Sequence, residues 1–179
     1  GKPRIALGFT DKRGSSFAMY DEKGNARTSL FTHLDVSALQ MNDEKGKTRA
    51  QLSTAREDGP RVAVGSETGN FLAVLTADAS GSRLMMWDEN VKPRSVLMAA
   101  ASGPKLMMYD ENETGRLMLA EGSGGPRLMV GDERGRIRAI LGRSATTSPD
   151  GKETIYPEST IRLFGPDGDV VWTAPLEWR

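Results

Sequence analysis

Apolar and polar residues alternate in short runs along this chain, and the runs recur. Six segments align without internal gaps, 16–30, 38–52, 61–75, 83–97, 105–119 and 127–141, their starts 22, 23, 22, 22 and 22 residues apart. In each, the second and fourth places are apolar: Phe17 and Met19, Leu39 and Met41, Val62 and Val64, Leu84 and Met86, Leu106 and Met108, Leu128 and Val130. A period of two puts such residues on one side of an extended chain, so each repeat is predicted to open with a strand. The sixth place is Asp21, Asp43, Ser66, Asp88, Asp110 or Asp132, and Gly24, Gly46, Gly69 and Gly135 follow three residues later. Asp-x-x-Gly signals a tight turn, because Asp accepts bonds from amides ahead of it and Gly takes left-handed backbone. In the fourth and fifth repeats Val91 and Glu113 replace that Gly. There the preceding Asn90 and Asn112 are expected to take the left-handed conformation instead. A second strand follows, with Arg at the twelfth place in all repeats but the third, which has Leu72. The fifteenth place is always Leu, and Gly-Pro or Gly-Ser pairs such as Gly59-Pro60 and Gly81-Ser82 mark a looser turn after most repeats.

The prediction is therefore an all-β protein: a tandem array of about seven two-strand units of ~22 residues, with no sustained 3.6-residue periodicity. Residues 1–15 read as an opening half-repeat, 16–141 as six tandem repeats, 142–159 as a Ser/Thr-rich insertion loop, and 160–179 as a terminal capping repeat. One repeat cannot stand alone. Its few apolar side chains are too little to offset the ordering of its backbone, so stability must come from neighbouring repeats. Two elongated geometries fit. In a β-meander, successive hairpins lie side by side in an antiparallel sheet; in a β-solenoid, each repeat is one coil and equivalent strands stack in parallel. The Asp-x-x-Gly turn favours the hairpin, and the constant period favours the coil.

The opposite strand face changes along the chain. Its third and fourteenth places are Ala18 and Ser29, then Gln40 and Gln51, and later Ala63 and Val74, Met85 and Val96, Met107 and Met118, Met129 and Ile140. From the third repeat on, both faces are apolar. A sheet that is apolar on both sides has to be covered on both sides. With no helices to do this, the expected cover is a second copy of the chain. Met85, Val96, Met107, Met118, Met129 and Ile140 are the candidate self-association residues. The half-repeat from Arg4 to Phe9 leaves an open edge, which would allow copies to pair head to tail into a filament.

Composition narrows the chemistry. The 179 residues hold 24 basic and 24 acidic side chains, which argues against a nucleic-acid partner bound through phosphates. The absence of cysteine removes disulfides, thiol nucleophiles and thiolate metal sites. No apolar run approaches the roughly 20 residues of a membrane-spanning helix, so no membrane insertion is expected in this segment. The repeated Asp21, Asp43, Asp88, Asp110 and Asp132, each followed by Glu, offer oxygen ligands of the kind that hold calcium. Turn capping and pairing with the arginines explain the same column without metal. His33 is the sole histidine and falls in a turn, where a solvated loop side chain is expected rather than an acid–base group. No nucleophile elbow, phosphate loop or metal-binding histidine pair is present, so neither catalysis nor a cofactor is expected. Tyr20, Trp87, Tyr109 and Phe164 share the fifth place and could form an aromatic strip for sugars. Trp87 and Tyr109, with Tyr156 in the insertion, are the candidate contacts for a surface glycan, which would make the chain an adhesin or carbohydrate-binding module.

The segment from Met19 to Arg27, with its Asp-x-x-Gly-Lys-x-Arg-Ala-x-Leu type of unit, resembles a loosely characterised class of bacterial extracytoplasmic β-repeat proteins. Asp167 to Pro175 is similar to the Asp-Gly-x-Val-x-Trp-x-Ala-Pro ending of such chains. A weaker similarity, through Tyr20-Asp21 and Tyr109-Asp110, is to the YD-repeat proteins of secreted toxin shells. The resemblance implies a non-catalytic structural protein located outside the cytoplasm, and it supplies no catalytic residue. The expected partner is the chain itself, in a rod, fibre or filament.

Overall fold

A computed structural model of the chain describes residues 4–10, 14–55, 59–121, 125–147, 153–156 and 160–175. All regular elements among them are strands. They fall into two compact units, Gly1–Lys92 and Pro93–Arg179. The first holds β1 (Ile5–Thr10), β2 (Gly14–Tyr20), β3 (Ala26–His33), β4 (Val36–Asn42), β5 (Thr48–Ala55), β6 (Gly59–Gly65), β7 (Phe71–Asp78) and β8 (Gly81–Trp87). The second holds β9 (Pro93–Ala100), β10 (Gly103–Tyr109), β11 (Gly115–Ala120), β12 (Arg127–Gly131), β13 (Ile137–Gly142), β14 (Ser144–Thr147), β15 (Glu153–Tyr156), β16 (Ile161–Phe164) and β17 (Val170–Ala174).

Each strand of the first unit pairs antiparallel with the next, from β1 to β8. In the second unit β9 to β13 run in the same way, β13 then pairs with β16, and β16 with β17. The arrangement is a meander of repeated hairpins. Parallel stacked coils, the solenoid geometry, do not occur among the described strands, because neighbouring strands are joined by turns too short for a parallel crossover.

The tight turns share one geometry. The amide of Asp21 bonds the carbonyl of Asn25 at 3.0 Å, and the amide of Gly24 bonds the carbonyl of Asp21 at 3.1 Å. The same pair of bonds recurs at Asp43, Ser66, Asp88, Asp110, Asp132 and Gly165. This is a three-residue hairpin loop whose last residue must be left-handed. Gly24 meets the requirement with φ 90°, and Val91 and Glu113 meet it with φ 62° and 61°. The expectation that Asn90 and Asn112 would be left-handed in those repeats is thus corrected. The flanking hydrogen bonds fix which position is left-handed, and they override the residue's own preference.

Beyond the turn, the register slips by one residue. Met19 faces Thr28 while Tyr20 faces Ala26, so Arg27 is the extra residue of a bulge. Equivalent slips occur in the hairpins β4–β5, β6–β7, β10–β11, β12–β13 and β16–β17. In the first and fifth repeats the bulge aims Arg27 and Arg116 back at their own turns and across to the next repeat. The insertion is not a loop throughout: β14 and β15 form a separate two-stranded sheet, with Ser144 opposite Tyr156.

Candidate interaction faces

At the turn end of the sheet, the repeated aspartates are turn elements. One oxygen of Asp21 accepts from the amides of Lys23 and Asn25, each at 2.9 Å. Asp43, Asp88, Asp110 and Asp132 accept in the same way from the amides two and four residues ahead. The second oxygen faces an arginine: Arg27 lies 3.7 Å from Asp21, Arg49 3.8 Å from Asp43 and Arg116 3.3 Å from Asp110, while Arg136 takes Asp132 at 2.8 Å. The Asn25 backbone bond, outweighing partial desolvation, holds the Asp21 carboxyl below its ordinary value; Lys47 does this for Asp43 and Thr114 for Asp110. At Asp132 desolvation pushes upward, and the bonds from Arg136 and Arg134 outweigh it. Among the described residues, no three acidic or histidine side chains gather into a metal-sized cluster. The five candidate calcium ligands are therefore one per turn, each engaged with its own backbone.

The same arginines tie neighbouring hairpins together. Arg27 Nε donates to the Asn42 carbonyl, and Arg116 Nε donates to the Gly131 carbonyl, both at 2.9 Å. Arg94 donates in the same way to the Asp110 carbonyl. A carbonyl near the start of the next turn thus gains a charged donor, a bond stronger than one between neutral groups.

The pairing register assigns the two faces of each compact unit. Phe17 opposite Leu30 and Met19 opposite Thr28 put the second, fourth, thirteenth and fifteenth places together on a leucine face. Ser16 opposite Phe31 and Ala18 opposite Ser29 put the first, third, fourteenth and sixteenth places on the other. That second face also carries the arginines and lysines of the first place, such as Arg61, Arg83 and Lys105, and is called the arginine face below.

On the arginine face an arginine covers apolar surface in the third repeat. The Arg61 guanidinium sits 4.6 Å from the Phe71 ring centre, and Phe71 stands opposite Gly65, four residues along the strand from Arg61. To reach it, the Arg61 side chain must lie across Ala63, which is 1% exposed. Val74, opposite Ala63, and Ile140, opposite Met129, are buried as well. Of the candidate self-association residues, Ile140 is therefore buried, while Met85, Val96, Met107, Met118 and Met129 are half-buried. Trp87 and Tyr109, the candidate glycan contacts on this face, are also half-buried, and the Tyr109 hydroxyl lies 3.5 Å from Met107 Sδ.

Tyr156, the third of those contacts, is also half-buried and caps Arg162. That guanidinium lies 4.0 Å from the Tyr156 ring centre and 5.2 Å from that of Phe164, and the residue is 0% exposed. Its three nitrogens find no hydrogen-bond partner among the described residues. Burial lowers its pKa, and Tyr156 works against that shift. The insertion hairpin is thus fastened to the seventh repeat through this stack. His33 ends β3 on the exposed side of a turn.

Among the described residues, the leucine face has no such cover. Its fifteenth-place leucines, Leu30, Leu52, Leu75, Leu97, Leu119 and Leu141, are all between 46% and 53% exposed. On β1 the exposure is greater still, 81% at Leu7 and 83% at Phe9, and the register places both on this face. From residue 16 to 141 its four places per repeat hold no charged residue, and only Thr28 and Ser95 are polar. Shallow grooves recur along it at equivalent places. One of about 290 Å³ lies between Leu52 and Leu75 and is floored by Val62; another of about 260 Å³ lies between Leu97 and Leu119 and is floored by Leu106. A third, of about 450 Å³, is bounded by Leu7, Phe17 and Leu30.

Known protein-family models give no match to this chain, and neither do curated protein sequences.

Proposed function

We propose that the chain is a non-catalytic structural protein, a self-associating subunit of a rod, fibre or filament located outside the cytoplasm. The observation that carries the reading is the uncharged, half-exposed leucine face, repeated along each compact unit. A surface of this kind is costly to leave in water and is characteristic of protein interfaces. A repeat array also suits a structural role, since each added repeat extends the surface without altering its chemistry. The extracytoplasmic setting rests on the resemblance to bacterial β-repeat proteins alone. Negative-stain electron microscopy of the purified chain tests the reading. Rods, fibres or multi-copy particles of constant width are expected; a field of single small particles at every concentration would refute it.

A further inference from the structure

We infer that the leucine face is the docking surface, and that its occupant is the leucine face of a second copy, the two sheets packing face to face. This rests on the self-association reading and specifies the surface that reading requires. It moves the contact away from the methionine and valine columns of the arginine face, whose members are half-buried or buried.

Three observations support a second copy as the partner. The first is chemical. Four places per repeat without a charge give a glycan, a nucleic acid or a charged protein surface little to pair with, the charges of Arg61, Lys105 and Glu121 standing only at the groove borders, and an apolar partner loses little on docking. The second is area. In the first compact unit eleven exposed large apolar side chains lie on this face, from Ile5 to Met86 with the turn residues Leu34 and Val91 set aside. At about half of the roughly 100 Å² that full burial of such a side chain removes, they offer about 550 Å² of apolar surface. A standard interface buries ~800 Å² per partner, about 65% of it apolar in homodimers, which is roughly 520 Å². One compact unit therefore carries the apolar area that a stable dimer needs.

The third observation is periodicity. Leu52 and Leu75 stand as ridges beside a groove floored by Val62, and Leu97 and Leu119 do the same around Leu106. The ridge leucines repeat every two strands, about 9.6 Å at the usual strand spacing, and in the first compact unit the grooves floored by Phe17 and Val62 lie four strands apart, twice that interval. A copy of the same face has both features at commensurate intervals, so its leucines can seat in these grooves. A partner lacking that interval can match only one or two. Packed sheets lie ~10 Å apart with their side chains interdigitated, and half-exposed leucines are suited to that spacing.

Adjacent methionines provide the test. Met86 and Met108 lie on the leucine face, 40% and 47% exposed, while their neighbours Met85 and Met107 lie on the arginine face. Peroxide oxidation of the full chain, read by mass spectrometry at dilute and concentrated protein, should show Met86 and Met108 protected several-fold on association and Met85 and Met107 unchanged. In parallel, the double variant Leu52→Lys, Leu75→Lys should weaken association roughly 100-fold or more. Gln40→Lys, on the arginine face, should associate like the wild type. If the lysine variant loses its β-sheet signal, Leu52→Ser with Leu75→Ser takes its place, and the oxidation pattern of the wild type stands independently of either. Association with Met85 and Met107 protected instead, or association insensitive to the leucine substitutions, would overturn this docking face but leave self-association intact. A chain that stays monomeric at every concentration would overturn both. So would one that stays monomeric and floats with neutral phosphatidylcholine vesicles, which would assign the face to a lipid surface.

Discussion

The fifth repeat places Glu113 where the turn requires left-handed backbone, at φ 61°, and replacing it with glycine should stabilise the protein. Left-handed backbone costs a residue with a Cβ about 1–2 kcal/mol. Glycine removes that cost but loses about 0.5–1 kcal/mol more backbone entropy on folding. Glu113 is exposed, so little packing goes with its side chain. The net gain for Glu113→Gly is about 0–1.5 kcal/mol, centred on ~0.75, or roughly 1–4 °C in Tm at that centre for a domain of this size. The reciprocal change tests the same argument. A Cβ at Gly46, φ 78°, would meet nothing within 4 Å, so Gly46→Ala carries only the backbone cost and should lose about 0.5–1 kcal/mol. Urea and thermal melts followed by circular dichroism in the β-sheet region measure both. A destabilised Glu113→Gly, or a neutral Gly46→Ala, would refute the claim that hydrogen bonding imposes strain at this turn position.

Other expectations follow from the same geometry. Asp21, Asp43 and Asp110 have lowered carboxyl pKa values, so their contribution is complete above the unfolded value of about 3.9 and disappears as pH falls through the folded value. Tm should therefore fall below about pH 4, and Asp110→Asn should flatten that dependence; an unchanged profile would show that the turn carboxylate does not contribute in this way. Gly59→Ala should be far more damaging than Gly46→Ala, because a Cβ at Gly59 would run into the Ala77 carbonyl, and loss of soluble folded protein would register this. Arg162→Met keeps a long side chain beneath Tyr156 and Phe164 while removing a buried charge whose nitrogens find no hydrogen-bond partner among the described residues. Its Tm should equal or exceed that of the wild type, and a clear drop would mean that the stacking outweighs desolvation.

Much of the fold is legible in the sequence because the signals are local. The alternation from Phe17 to Met19, the Asp-x-x-Gly turns and the recurring Leu30, Leu52 and Leu75 each specify short-range geometry. The choice between meander and coil depends instead on which amide meets which carbonyl, as between Asp21 and Asn25, and both geometries share one hydrophobic pattern. The left-handed residue was misassigned because Asn90 has the better intrinsic preference, while the hairpin bonds place the requirement on Val91. The faces were harder to read for a different reason. In a two-letter alphabet Arg61 counts as polar, yet its stem lies across Ala63 toward Phe71 and covers apolar surface. The first-place arginines were the available signal, and they mark the face opposite the leucines as the one already covered. Tyr156 reads from the sequence as a candidate glycan contact, and nothing in the spacing announces its stack on Arg162.

The central claim is that each leucine face, uncovered among the described residues of its own compact unit, obtains a cover from another copy. Sedimentation velocity of the full-length wild-type chain, from submicromolar to hundreds of micromolar at moderate salt, tests this most directly. The account predicts a sedimentation coefficient that climbs with concentration and changes little with added salt, as expected for an uncharged interface. A single slow boundary with the mass of one chain across the whole range would contradict it.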